Sequence, residues 1–229
     1  FFMGACTQAV AGLDLFINGD EVTVTTLDAG QDLRVTGDDW ITLTTAAEAT
    51  RDLEFLTSGA LTLNGTTDAG QDMDLEGGNV DINGASEAER DARVISTSGD
   101  ITVDATLTSG RDMTFDSAED VINTAAVTAG GNIDLDAVGE WEVGAAFKSL
   151  GTGGSIEALA NLIDIDAAVT AAMDVRAASN TAVDVDADVT AQLGHMEMAA
   201  NNGDFTVDAD LAAGQDMTLY ANGDFLMGA

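Results

Sequence analysis

The phrase Ala29-Gly30-Gln31-Asp32-Leu33 returns as Ala69-Gly70-Gln71-Asp72-Met73 and again as Ala213-Gly214-Gln215-Asp216-Met217. Looser copies fill the intervals: Ala11-Gly12-Leu13-Asp14-Leu15, Ala49-Thr50-Arg51-Asp52-Leu53, Ala88-Glu89-Arg90-Asp91-Ala92, Ser109-Gly110-Arg111-Asp112-Met113, Ala129-Gly130-Gly131-Asn132-Ile133 and Ala171-Ala172-Met173-Asp174-Val175. Most begin eighteen to twenty-one residues apart. A period of that length marks a solenoid, whose units cannot bury their apolar faces alone and are sealed by their neighbours.

Each unit has one grammar. A short run follows the Asp, apolar at alternate positions: Leu33 and Val35, Leu53 and Phe55, Met73 and Leu75, Met113 and Phe115. A polar turn follows, such as Thr36-Gly37-Asp38-Asp39, and then a second alternating run, as in Ile101, Val103, Ala105, Leu107 or Val183, Val185, Ala187, Val189. Period two with Val, Ile and Thr is the pattern of strands with one buried face, not of helices. Ala-rich residues 167–178 are helix-prone, but Val169, Val175 and the glycines around them favour strand. Leucine-rich repeats need a Leu-Asn consensus that is missing, and propeller blades need about forty residues. The expected fold is all-β, a parallel β-helix of about eleven coils of roughly 20 residues, with residues 1–229 as a single repeat segment without evident caps. The absence of proline suits unbroken ladders.

Charge limits the partners. With 41 acidic and 7 basic residues the formal net charge is -34. Nucleic acid and anionic lipid would be repelled, whereas cations, basic partners or high salt are accommodated. The 45% hydrophobic content removes the disordered reading of such acidity. Cys6 is the only cysteine, so no internal disulfide framework is expected. No apolar run is long enough for a membrane-spanning helix, and no basic leader opens the chain. The sequence thus reads as a mature product or an internal segment.

The stretches AGQDLRVTGDDWITLT, AGQDMDLEGGNVDING and AGGNIDLDAVGEW resemble the repeats of filamentous haemagglutinin-type proteins, the large exoproteins of two-partner secretion. The resemblance covers nearly the whole chain. It implies a right-handed parallel β-helix at the bacterial surface, extracellular or cell-surface in location, used in adhesion, biofilm or contact-dependent competition. No functional residue carries over from it.

Candidate sites come from the residues themselves. Asp14, Asp32, Asp52, Asp72, Asp91, Asp112, Asp174 and Asp216 share one phase of the repeat, with Asn132 and His195 as substitutes. Stacked about 4.8 Å apart, neighbouring carboxylates repel by about 0.9 kcal/mol in water and about 3.5 at an effective dielectric of 20. High salt, bound cations or hydrogen bonds from turn amides would relieve this, the last being the usual role of Asp in turns. A second set, Asp164, Asp166, Asp184, Asp186, Asp188 and Asp208, falls between inward Ile163, Ile165, Val183 and Val185. It is therefore expected to form an outward carboxylate grid, either a solvated acidic face or a site for hard cations, calcium above all. No other cofactor is implied.

Catalytic residues are not found. His195 is the only histidine and has no nucleophile beside it. The long loops that make a cleft in carbohydrate-active β-helices are missing, which leaves a polysaccharide lyase or hydrolase as the weakest functional reading. Irregularity is expected only at about 138–160, where Gly151-Thr152-Gly153-Gly154 lacks the Lys of a phosphate loop. Asn64-Gly65-Thr66 matches a glycosylation sequon but sits where a turn is needed. Thr23, Thr25, Thr42 and Thr44 make outward Thr pairs whose pattern breaks at Asp81, too short for an ice-binding array. Trp40 is expected outward, Trp141 inward, and Asn123 inward against backbone.

Finally, Phe1-Phe2-Met3-Gly4-Ala5 resembles Phe225-Leu226-Met227-Gly228-Ala229, roughly eleven coil lengths later. Phe1, Phe2, Met3, Phe225, Leu226 and Met227 are thus the expected contacts where copies stack end to end or the same rod continues covalently. The expected function is a structural or adhesive extracellular rod; the alternative is a calcium- or glycan-binding surface module, with a glycan or protein receptor as partner.

Overall fold

The computed structural model describes residues 8–228. All 27 strands among them join one continuous sheet in which every pairing is parallel and links one coil to the next. No helix is present among the described residues, so none could cross a membrane. A representative coil consists of the strands Met113–Ser117, Val121–Asn123 and Val127–Ala129, which pair with Ile133–Ala137, Glu140–Val143 and Phe147–Ser149 of the next. Each coil therefore has three faces. The first face follows the repeated Asp, the second follows the polar turn, and the third ends in the repeated Ala.

Alternation along each strand stacks side chains into columns. Inside the first face run Leu33, Leu53, Met73, Ala92, Met113, Ile133, Ile156, Val175 and Met196, all buried. The third face ends on an inward column of small residues, Ala29, Ala49, Ala69, Ala88, Ser109, Ala129, Ser149, Ala171 and Ala191. Only small side chains fit there, because the chain is about to bend. A comparable column closes the first face, and its serines answer the turn: Ser96 Oγ donates to Gly78 O and Gly99 O, Ser117 Oγ to Gly99 O and Asp120 O, and Ser179 Oγ to Asn161 O. Gly78 O, Gly99 O and Asp120 O also accept a backbone N–H from the adjoining coil, so the Ser96 and Ser117 hydroxyls are satisfied by a second bond to carbonyls already in the ladder.

The alternating second run is where sequence and structure part. Ile101, Val103, Ala105 and Leu107 read as one strand. The chain instead turns a corner between Ile101–Val103 and Leu107–Ser109, giving three strands to a coil. Period two survives the bend, so the pattern does not reveal it. The Ala-rich stretch lies in strands, Val169–Ala171 and Val175–Val185. Irregularity is much narrower than 138–160: Glu140–Val143, Phe147–Ser149 and Ile156–Ile165 are regular strands, and only 150–155 departs from the coil. There Gly154 N donates to Gly151 O, and Gly153 adopts φ 103°, the single left-handed residue among those described.

Trp141 is fully buried against Phe147, ring centroids 5.3 Å apart and near perpendicular, whereas Trp40 points outward and is half-buried. Asn123 lies in the inward column between Val103 and Val143; its Nδ2 donates to Ala145 O and Ala125 O, leaving Oδ1 without a partner. Phe225–Met227 is the last strand described. Phe225 stacks on Phe205, and Phe225, Leu226 and Met227 are all exposed. Phe1, Phe2 and Met3 lie outside the described residues.

Candidate functional site

Register places the outward residues in columns as regular as the core. In the repeated-Asp column the carboxylates do not face one another unaided. Most accept a hydrogen bond from the backbone N–H at the same phase of the next coil: Asp91 Oδ1 from Asp112 N (3.1 Å), Asp112 Oδ1 from Asn132 N (2.8 Å), and Asp174 Oδ1 from His195 N (2.8 Å). Weaker members are Asp14, Asp52 and Asp72, which accept from Asp32, Asp72 and Asp91 at 3.3–3.4 Å. Asn132 and Ser155 continue the chain of bonds with side-chain oxygens of their own. Turn amides thus provide the relief expected from the sequence. Ser155 belongs to the column and was hidden by the irregular 150–155 segment that shifts its spacing. His195 occupies the column as expected, with Nδ1 3.6 Å from Asp216 Oδ2.

The same device recurs at the other two corners. Asp100 accepts from Asp120 N, Asp120 from Glu140 N and Asp204 from Asp224 N before the second face; Asp188 accepts from Asp210 N before the third. Asp188, read as part of the grid, is therefore a corner residue.

The remaining five grid residues divide by position. Asp164 and Asp184 are register partners on the second face, continuing a column that holds Thr23, Thr42, Thr62, Asp81, Thr102, Ile122 and Glu142 before them and Thr206 after. Asp166, Asp186 and Asp208 occupy the turn that follows, their backbone N–H groups bonded to Val143, Ile165 and Val185 carbonyls of the preceding coil. The six are outward, as expected. They form strips along the rod, and among the described residues no three acidic, His or Cys side chains converge as a metal-holding group.

Crowding perturbs this strip. Desolvation by neighbouring coils, then repulsion from Asp166 and Asp184, pushes the Asp164 carboxyl above its ordinary range. Asp184 is raised by desolvation and by Asp186 and Asp208, and Glu140 by desolvation and Asp164. Asp81 is raised by desolvation, against a hydrogen bond with Thr62 that favours its charge.

Basic residues lie elsewhere. Arg34, Arg93 and Arg176 are outward on the first face, and Arg51, Arg90 and Arg111 stand at the corner leading into it. Arg51 grips Asp32 of the coil before through Nε and Nη2, and this bond holds the Asp32 carboxyl below its usual range. Arg93 reaches Asp74 (2.9 Å), Arg34 reaches Glu54 (3.3 Å), and Arg90 and Arg111 reach Asp72 and Asp91 at 3.5 and 3.6 Å. Arg176 reaches Asp174 of its own coil (3.1 Å), which accounts for every arginine. The second face has no basic residue, and the third has only Lys148.

The third face carries a column that sequence reasoning passed over: Asp28, Glu48, Asp68 and Glu87 stack in consecutive coils, all exposed. Each stands immediately before the repeated Ala, so Asp/Glu-Ala at the repeat period was the available signal. Beyond Glu87 the column changes to Thr108, Thr128, Lys148, Thr170 and Thr190. All three faces are therefore net acidic, and the arginines are confined to the first face and its leading corner. No protein-family model, characterised protein or solved structure matches the chain.

Proposed function

We propose that the chain is a structural rod, a spacer segment at the cell surface or outside the cell that serves an adhesive assembly, as the resemblance to filamentous haemagglutinin-type repeats implies. One observation carries this reading. From Leu15 to Met227 the coils pair in register without an inserted domain or a deep cleft, so the repeat adds length rather than enclosure. At about 4.8 Å per coil, eleven coils extend roughly 50 Å. In the last described coil Phe225 and Met227 lie over Phe205 and Val207, and both are exposed. These apolar side chains are where this reading places contact with a second copy end to end or with a covalent continuation of the same rod.

Sedimentation velocity of the purified chain, at low and high salt and with calcium or chelator, tests this. The expected species is elongated, growing into longer species where copies stack and discrete where only a covalent neighbour can complete the coil. A compact globular frictional ratio would refute the rod.

The second reading is a calcium- or glycan-binding surface, favoured by the acidic columns of the second and third faces. It predicts a calcium-dependent rise in melting temperature that Asp164→Asn/Asp184→Asn reduces. A melting temperature indifferent to calcium would remove the cation half of this reading.

A further inference from the structure

On the first face one of the two outward columns changes character along the rod. In the earlier coils one column holds Arg34, Glu54, Asp74, Arg93, Thr114 and Asp134, and the other Thr36, Leu56, Glu76, Ile95, Asp116 and Asp136. Over the last four described coils the first continues with Glu157, Arg176, Glu197 and Thr218, and the second becomes Leu159, Ala178, Ala199 and Tyr220. Leu159 is 47% exposed and Tyr220 49%. The small alanines between them leave a shallow groove whose walls include Leu159, Arg176 and Glu197. Met173 and exposed Leu193 border the same face at its leading corner, where the earlier coils have Arg51, Arg90 and Arg111. On a chain of net charge -34, this is a patch where apolar side chains flank a Glu-Arg-Glu row.

The patch is complementary to itself under one operation. A second copy can be turned about a two-fold axis lying along the strands, between the coil of Arg176 and the coil of Glu197. The two rods then run antiparallel while their strands stay aligned. Arg176 meets the partner's Glu197, and Glu197 meets the partner's Arg176. Ala178 meets the partner's Ala199, which lets the backbones approach, and Leu159 packs on the partner's Tyr220 at both ends. Moving the axis one coil toward the start sets Glu197 against the partner's Asp134 and Ala199 against the partner's Asp136, so charge selects the register.

We infer that two copies of this chain pair side by side and antiparallel through Leu159, Arg176, Ala178, Glu197, Ala199 and Tyr220. Four strands at about 4.8 Å and six residues at about 3.3 Å give a footprint of roughly 20 by 20 Å, at the small end of specific interfaces. The pair therefore dissociates on dilution. Because each copy carries a large negative charge, raising the salt from about 0.1 M to about 1 M, where screening shortens from about 10 to about 3 Å, tightens it several-fold.

Site-directed crosslinking tests the geometry. Facing sheets lie about 10 Å apart, beyond the roughly 7 Å between Cα atoms that a disulfide spans, so a short bismaleimide bridges the pair. In a Cys6→Ser background, its reaction with Leu159→Cys/Tyr220→Cys at high salt should give covalent dimers several-fold above either single variant. Adding Arg176→Glu should abolish them, and adding Glu197→Arg as well should restore them, with the circular dichroism spectrum unchanged throughout. Equal crosslinking in single and double variants, or none in the double, would overturn the pairing. So would an unmodified chain that remains monomeric at millimolar concentration in high salt.

Discussion

Replacing Trp141 by Ala removes the largest side chain in the core, fully buried between Val121 and Ile163 in its column and edge-on to Phe147. Trp→Ala in a packed core costs about 3–5 kcal/mol, and loss of the aromatic pair about 0.5–1.5 more. One term runs the other way. Trp141 Nε1 is buried with no acceptor, and deleting an unsatisfied donor returns about 1–3 kcal/mol. The expected net loss is therefore about 3 kcal/mol. Trp141→Phe keeps much of the ring volume and also removes the orphan donor, so it should cost about 1 kcal/mol or less. In a solenoid each coil touches only its neighbours, so the damage should be local. Hydrogen exchange followed by mass spectrometry reads this directly: protection should fall in residues 113–165 and persist in the first coils. Urea unfolding supplies the free energies. Uniform loss of protection along the chain, or a Trp141→Phe cost equal to that of Trp141→Ala, would refute the reasoning.

Further outcomes concern charge and corners. Asp81, Glu140, Asp164 and Asp184 have folded pKa values raised above their ordinary ones, so the stability they contribute is fully present below the unfolded pKa, about 4, and is lost as pH rises through the folded value. Asp32 is lowered, and its contribution is lost as pH falls through its folded pKa. The urea midpoint should therefore rise as pH falls from neutrality toward the unfolded carboxylate pKa, about 4, and Asp164→Asn/Asp184→Asn should flatten that rise; a steady fall all the way down would contradict the assignment. A methyl group at Gly130 would collide with the Gly110 carbonyl oxygen, whereas one at Gly12 meets nothing. Thermal melts should thus show Gly130→Ala destabilised by about 2 kcal/mol or more and Gly12→Ala nearly unchanged. Asp112→Ala leaves the Asn132 N–H without its acceptor and should cost about 1 kcal/mol, whereas Asp112→Asn, which keeps an oxygen there, should cost less.

Much of this architecture is legible in one dimension because a solenoid maps sequence period onto space. The recurring Ala-Gly-Gln-Asp sets the coil length, and alternation sets which side chains enter the core. Together they were enough to place Trp141 and Asn123 inside, Trp40 outside, and the six Asp residues of 164–208 on the surface. Three things needed the fold. The bend between Val103 and Leu107 is invisible in sequence, since a corner of three residues with Ala105 at its centre keeps period two. The irregular segment shrank to 150–155 because pairing to the coils on either side holds the remainder straight, which no local propensity records. Lateral relations between columns depend on the number of residues spent at each corner. The sequence by itself determined coil length, strand content and the acidity of the surface. Only the tertiary structure decided that the arginines share one face and its leading corner, that Asp28, Glu48, Asp68 and Glu87 stack unbroken, and that Leu159, Ala178, Ala199 and Tyr220 form one strip. Residues about twenty apart become neighbours only once register is set, and register is a property of the stacked coils rather than of any one of them.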